Sequence, residues 1–412
     1  MNDLQERLRQ LGVVKGARQL RPAPPVARPT AASPLEALLP GGRIEPHPTG
    51  GCFVLDHTYP LGHGHGRAPL AALLDYDPSL AIPFLHSGPL PTSFRDFLFI
   101  DTETTGLAGA GTMAFMVGVA FFEGNALIVR QYFLRGPADE PALLGHLSQL
   151  AASKQGLISF NGRSFDLPLL DNRYLLTRQP AHLANWLTLP HLDLLHPARR
   201  VWRGRLTSCS LGSLEQQLLE VNRTHEDVPG WFIPTLYANY LRGGDAEPIA
   251  RIFYHNQYDL LSMVTLAVCL LRQITSPQPD DHPLDLCGVG RWQADLGLVE
   301  TAEQTLRLAL RPPATTPATA ALADLLKRQG RREEAVPLWE TLVAEGDELT
   351  AVYHLELAKY YEWHVVDVPR AHAWTSKALA HVQSHAPYQR PLLQEIEHRL
   401  GRLARKMGGT SL

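Results

Sequence analysis

In "DFLFIDTETTGL" (residues 96–107) two acids, Asp101 and Glu103, stand one residue apart. In a strand, side chains two apart leave the same face, so both carboxylates point the same way. Like charges at that spacing repel unless something positive lies between them, and a divalent cation is the simplest answer. Oxygen donors with no nearby cysteine suit hard ions such as Mg2+ or Mn2+. Three other segments could complete the ligand set. "ISFNGRSFDLPLL" carries Asn161 and Asp166 where a strand hands over to a helix. "HLDLLHPAR" carries Asp193 in a later strand, and "YHNQYDLLSMVTL" carries Tyr254, His255 and Asp259 on a long helix.

The elements that must position these groups follow from the apolar pattern. Phe97 to Ile100 are four consecutive apolar residues, which suits an inner strand covered on both faces. "MAFMVGVAFFEG", "ALIVRQYFLRG", "GLISFNG" and "PHLDLLH" read as further strands, with helices expected over 140–152, 166–176, 211–220 and 247–271. Three strands joined by tight turns, then strand–helix alternation, predict a mixed sheet in an α/β domain.

The 412 residues suffice for two or three domains. Residues 1–41 are expected to hold an opening helix and a proline-rich linker, "RPAPPVARPTAASP". A small β-rich layer is expected over 42–95, and the α/β domain over 96–275. After "SPQPDDHP" the text turns helical, and Gly297 and Ala302 recur 33 residues on as Gly330 and Ala335, with Ala371 a third copy. That period over 284–412 resembles, loosely, tetratricopeptide repeats, with a final amphipathic helix as cap. Such repeats either stabilise the chain or offer a groove to a protein partner.

With 38 basic and 41 acidic side chains the net charge is −3, which neither demands nor excludes a nucleic-acid partner. Four cysteines without CxxC spacing point to a reducing cytoplasm. No apolar run in the sequence reaches the roughly 18 residues of a membrane span. The opening residues lack a signal-peptide core, so a cytoplasmic protein without membrane contact is expected.

The ordered set "DTETTGL", "NGRSFDLP" and "HNQYDLLS" resembles the DEDD (DnaQ-like) 3′–5′ exonucleases, which have the ribonuclease H-like fold. With "SCSLGSLE", "DVPGWFIPTLY" and the trailing helices, the chain looks most like YprB-type ribonuclease H-like proteins. The resemblance covers about residues 96 to 272. It implies that Asp101, Glu103, Asp166 and Asp259 hold two Mg2+ or Mn2+ ions for hydrolysis of a single strand from its 3′ end, releasing nucleoside 5′-monophosphates. DNA is slightly favoured over RNA. Two ions roughly 4 Å apart can stabilise both the attacking water and the leaving oxygen of an in-line displacement.

The base departs from the family patterns. One branch places His five residues before the last Asp, where this chain has Tyr254. The other places Tyr four before it, where this chain has His255. Helix positions four apart share a face, so His255 should stand beside Asp259, and an ordinary imidazole pKa suits base work. Tyr254, or hydroxide on the metal unaided, are the alternatives. For the substrate, the resemblance implies that Leu107 meets the terminal nucleotides. Asn161 could contact a terminal sugar or phosphate, or cap its turn. Arg199, Arg200, Arg203 and Arg205 around Trp202 suit a single strand: guanidinium on phosphate, indole on a base. Asp193 could support the site or cap its strand. His57, His63 and His65 near Cys52 match no standard zinc spacing and are read as structural. Competing readings of the whole are a catalytically weak adaptor that binds nucleic acid and a protein partner, and a structure-specific endonuclease.

Overall fold

The computed structural model describes residues 35–86, 90–106, 111–178, 189–224, 226–346, 350–385 and 388–408. The expected opening helix and proline-rich linker lie outside these residues. The described residues include ten strands: β1 (Arg43–His47), β2 (Gly50–Pro60), β3 (Gly64–His65), β4 (Ala68–Pro69), β5 (Leu85–His86), β6 (Phe97–Thr104), β7 (Ala114–Glu123), β8 (Ala126–Phe133), β9 (Gly156–Ser159) and β10 (His191–Asp193). Eight of them form one mixed sheet in the order β1-β2-β8-β7-β6-β9-β10-β5, and β3 pairs with β4.

The middle of this sheet carries the candidate acids. β6 runs antiparallel to β7 and parallel to β9, and β9 runs parallel to β10. The four apolar residues opening β6 are fully buried and alternate by face. Leu98 and Ile100 join one core; Phe97 and Phe99 join the other. Burying each such side chain stabilises by about 1.5–3 kcal/mol, and the strand stays rigid up to its polar end.

Of the strand pieces of 42–95, β3 and β4 pair with each other, whereas β1, β2 and β5 join the main sheet. β2 pairs with β8 from Phe53↔Phe133 to Pro60↔Ala126, so β1 and β2 extend the main sheet. The reason is that β8 left alone would expose an unpaired edge along its whole length.

Five helices pack around the sheet: α1 (Glu140–Ala151), α2 (Asp166–Leu176), α3 (Leu195–Trp202), α4 (Ile233–Leu241) and α5 (Glu247–Thr275). By length and composition α5 could cross a bilayer, although its apolar stretch is interrupted by Asp259 and Arg272. Its apolar window, however, is 72% buried inside the protein, as for a core helix. "PHLDLLH" is a three-residue strand followed at once by α3, because Pro197 suits the first turn of a helix and not a strand interior. The expected 211–220 helix is Leu211–Leu214 followed by a π-turn that ends on a left-handed Glu220 (φ 57°).

The C-terminal region is helical: α6 (Pro283–Asp295), α7 (Val299–Leu308), α8 (Thr315–Arg328), α9 (Arg332–Glu345), α10 (Thr350–Tyr360), α11 (Val368–His385) and α12 (Arg390–Gly408). Gly297 and Gly330 both adopt positive φ (76° and 79°) between successive helices, which explains their recurrence. Ala302, Ala335 and Ala371 are fully buried where helices approach closely.

Candidate active site

Asp101 and Glu103 lie at the polar end of β6, where the strand's register against β7 slips between Glu103 and Thr104. Glu103 is buried and Asp101 half-buried. Opposite Asp101 on β7 is Gly118. A Cβ there would come within 1.9 Å of Asn256 Oδ1, so glycine is what allows this asparagine of α5 to reach the strand. Asn256 is fully buried and donates from Nδ2 to Asp101 Oδ2 at 2.9 Å. Its own Oδ1 accepts from Gln131 Nε2 at 3.0 Å, which fixes its orientation.

Asp166 is the first residue of α2 and accepts a short hydrogen bond from the Thr102 hydroxyl, on the strand residue between the two acids. Asp193 is buried and does not face solvent. It accepts from the backbone N–H of Asn161 (2.7 Å), Arg163 (3.1 Å) and Leu195 (3.2 Å). It thereby holds the turn after β9, where Asn161 adopts a left-handed φ of 68°.

Asp259 and His255 share a face of α5, with His255 Nε2 3.6 Å from Asp259 Oδ2. The other imidazole nitrogen, Nδ1, is 2.7 Å from Asp227 Oδ1. Tyr254 turns away from the acids: its hydroxyl accepts from the Thr224 backbone N–H at 3.0 Å, and its ring lies 4.3 Å from that of Tyr258. A residue absent from the sequence reading, Arg223, enters the cluster. It forks onto Glu215 at 2.6 and 2.8 Å and also ion-pairs with Asp259.

The charges at this site are poorly compensated. Burial pushes the Asp101 carboxyl well above its ordinary range, and Asp259, Glu103 and Asp166 push it further. Burial raises Glu103 to about 8, with Asp259 and Asp166 adding to the shift and His255 opposing it. Asp166 rises to about 6, again through burial, although the Thr102 hydrogen bond pulls it down. Burial alone would lower His255, but the Asp227 hydrogen bond and the fields of Asp259 and Glu103 outweigh it and leave the imidazole raised to about 9. It therefore carries a proton at neutral pH, and the ordinary value assumed from sequence does not apply in this environment. Burial also works against the Arg223 charge, and Asp259 and Glu215 keep it protonated.

Among the described residues no three of these side chains form a closed metal shell, either here or at the histidines. The carboxylates turn instead to Asn256, Thr102 and Arg223. The donor set nevertheless fits hard dications. Among the described residues six carboxylates (Asp101, Glu103, Asp166, Glu215, Asp227 and Asp259) face the two cationic side chains Arg223 and His255, a formal deficit of four charges. All the donors are oxygens.

Two cavities adjoin the acids. One of about 810 Å3 is lined by Asp101 and Asp259 together with Asn161, Arg199 and Arg203. A second, of about 790 Å3, is lined by Asp101, Asp166 and the half-exposed Phe165. Three expected contacts lie elsewhere. Trp202 is buried in the core, because Leu195, Ala198 and Trp202 recur at i, i+3 and i+7 along α3 and face the sheet. Arg200 leaves the cavity to pair with Asp295 of α6 at 3.0 Å and lies over the Trp292 ring. Arg205 likewise pairs with Asp285 of α6 at 2.8 Å. Leu107 is outside the described residues. His65 is buried against Ser262 and His63 lies 4.7 Å from the Tyr59 ring, so both pack locally.

Residues 98–271 match the RNase_H superfamily. The chain is also similar to the uncharacterized protein YprB of Bacillus subtilis (strain 168), at 31% identity over 325 residues covering 76% of each protein.

Proposed function

The chain belongs to the ribonuclease H superfamily, and from that premise we propose that it is a divalent-metal-dependent 3′–5′ exonuclease acting on single-stranded nucleic acid, with DNA slightly favoured over RNA. The observation that carries this reading is the undercompensated cluster of Asp101, Glu103, Asp166 and Asp259 beside His255. These four acids would hold two Mg2+ or Mn2+ ions, whose charge would acidify the attacking water and offset the negative charge of the phosphate. Asn256 keeps Asp101 turned into the cleft, and Thr102 does the same for Asp166. Asp227 holds His255 through Nδ1, which leaves Nε2 toward Asp259 to accept the proton of the water. His255 becomes a base only where added positive charge offsets its acidic neighbours, so its readiness is tied to ion loading. Arg199 and Arg203 supply cations to the strand's phosphates. We read the C-terminal helix pairs as tetratricopeptide-like repeats that could engage a protein partner.

A second reading, a nuclease-like adaptor that binds nucleic acid without cleaving it, draws on the pairing of Asp259 with Arg223. One assay separates the two. End-labelled linear and circular single strands of DNA and RNA are incubated with Mn2+ or EDTA. The exonuclease reading expects mononucleotides from the 3′ end, intact circles, and no products in EDTA. Asp101→Ala should lose roughly a thousand-fold in rate, the cost of several kcal/mol of lost charge stabilisation. Undiminished degradation by that variant contradicts the reading. Cleaved circles indicate an endonuclease instead.

A further inference from the structure

Trp231 is the most exposed large apolar side chain among the described residues, at 81%, and Phe232 beside it is 37% exposed. Their ring centroids lie 5.5 Å apart. An indole left this open gives up most of the burial it could gain, and such a ring on a soluble surface commonly marks a contact site.

Its mounting is fixed. The Phe232 N–H bonds to the Pro229 carbonyl at 2.8 Å, which closes a tight turn over Gly230. Immediately afterwards Ile233 and Tyr237 bury into the core. Tyr237 stacks on Phe115 at 3.9 Å and donates to the Leu134 carbonyl at 3.0 Å. Before the turn, Arg251 holds the Glu226 and Asp227 carbonyls at 3.0 and 2.7 Å. The indole is thus presented from an anchored backbone, which limits the ordering cost of binding.

Its position is as telling. Pro229 and Gly230 line a cavity of about 510 Å3 together with Arg223, His255 and Asp259. A Cβ built at Gly230 would stand 4.0 Å from His255 Nε2, so this wall closely approaches the imidazole proposed as base. A strand whose phosphate reached the acids would set a neighbouring base against it. A flat aromatic face suits any base, because stacking reads no sequence.

We propose that Trp231, backed by Phe232, is a stacking platform for a nucleobase adjacent to the scissile phosphate. This rests on the reading of the acid cleft as a nuclease site. It adds a base contact contributed by neither the acid motifs nor the arginine-rich helix.

The test measures equilibrium binding of a fluorescent oligothymidylate to the full-length protein by anisotropy, in an Asp101→Asn background so that no strand is consumed. Trp231→Ala should weaken binding about 5- to 150-fold, the range for loss of one stacked base, and Trp231→Phe should retain most of the affinity. A strand with abasic sites in place of its 3′-terminal bases should bind the Trp231-containing protein as weakly as the intact strand binds Trp231→Ala. That strand should then be insensitive to Trp231→Ala. Equal affinities for the intact strand with and without Trp231 would overturn the proposal. So would an equal loss on intact and abasic strands, which would indicate a structural role. The degradation assay above stands apart from this result. If that assay shows no hydrolysis while base-dependent binding through Trp231 persists, the nuclease reading fails and the platform survives.

Discussion

Glu362 and Glu103 are both acids withdrawn from water, yet they have very different surroundings. The Glu362 carboxylate is fully buried and accepts from Arg399 at 2.7 Å, Arg402 at 2.8 Å and Lys406 at 2.7 Å, all from α12. One acid there has three cations. In the cleft the ratio is reversed: beyond burial, the fields of Asp259, Glu103 and Asp166 raise Asp101, and those of Asp259 and Asp166 raise Glu103, with His255 and Arg223 opposing them. The chain can evidently neutralise a buried carboxylate when the carboxylate serves only to hold helices together. A deficit of positive charge is instead what a site recruiting mobile cations requires.

The sharpest way to break this contrast is to neutralise each acid in the metal-free protein. Glu362→Gln should destabilise the C-terminal helices by about 3 kcal/mol, since it removes the buried carboxylate that Arg399, Arg402 and Lys406 share. Calorimetry would register an earlier transition. Glu103→Gln should act in the opposite direction and raise Tm at pH 8 by about 2–4 °C, which corresponds to about 1 kcal/mol. If both substitutions destabilise, the two clusters are not different in kind.

A pH series sharpens the same point with a smaller effect. The folded-state pKa of Glu103 lies above its ordinary value, so its ionisation weighs on the folded state as pH rises from about 4.5 through about 8. His255 is also raised, and the stability it contributes is present below its ordinary value of 6.5 and lost as pH rises through about 9. Metal-free protein should therefore lose thermal stability between pH 5 and pH 9. Glu103→Gln should flatten that slope, and its advantage should vanish below about pH 4.5. A metal-free Tm independent of pH over this range would contradict the charge assignment. The smallest effect expected concerns the arginines. Arg203→Ala should lower the salt dependence of nucleic-acid binding by about one counterion, whereas Arg200→Ala should leave it unchanged. Equal slopes for the two variants would remove Arg203 from the cleft.

The two regions also differ in how far sequence revealed them. The acids were legible because each sits in a short contiguous motif whose strand or helix follows from local apolar pattern. Asp101 and Asp259 line one cavity, and Asp101 and Asp166 line the neighbouring one. Asn256 and Gly118 were not legible. One is an asparagine among helix residues and the other a glycine in a strand, and their meaning appears only when α5 meets β7. Arg223 likewise comes from an irregular segment, whose path no periodicity announces. Trp202 is a different case. Its spacing from Leu195 and Ala198 marked a core face, and reading the arginines around it as a unit hid that periodicity. In the C-terminal region the recurring glycines and alanines exposed the helix pairing, while the Glu362 cluster, joining a π-turn to a helix 37 to 44 residues on, did not.

The cleft is expected to bind divalent ions because its own charges fall short. Titrating metal-free protein with Mn2+, with free Mn2+ followed by electron paramagnetic resonance, measures this. The expected result is saturable binding of two ions per chain and loss of at least one of them in Asp101→Ala. Failure of the wild-type chain to bind Mn2+ saturably, or identical stoichiometry and affinity in the variant, would contradict it.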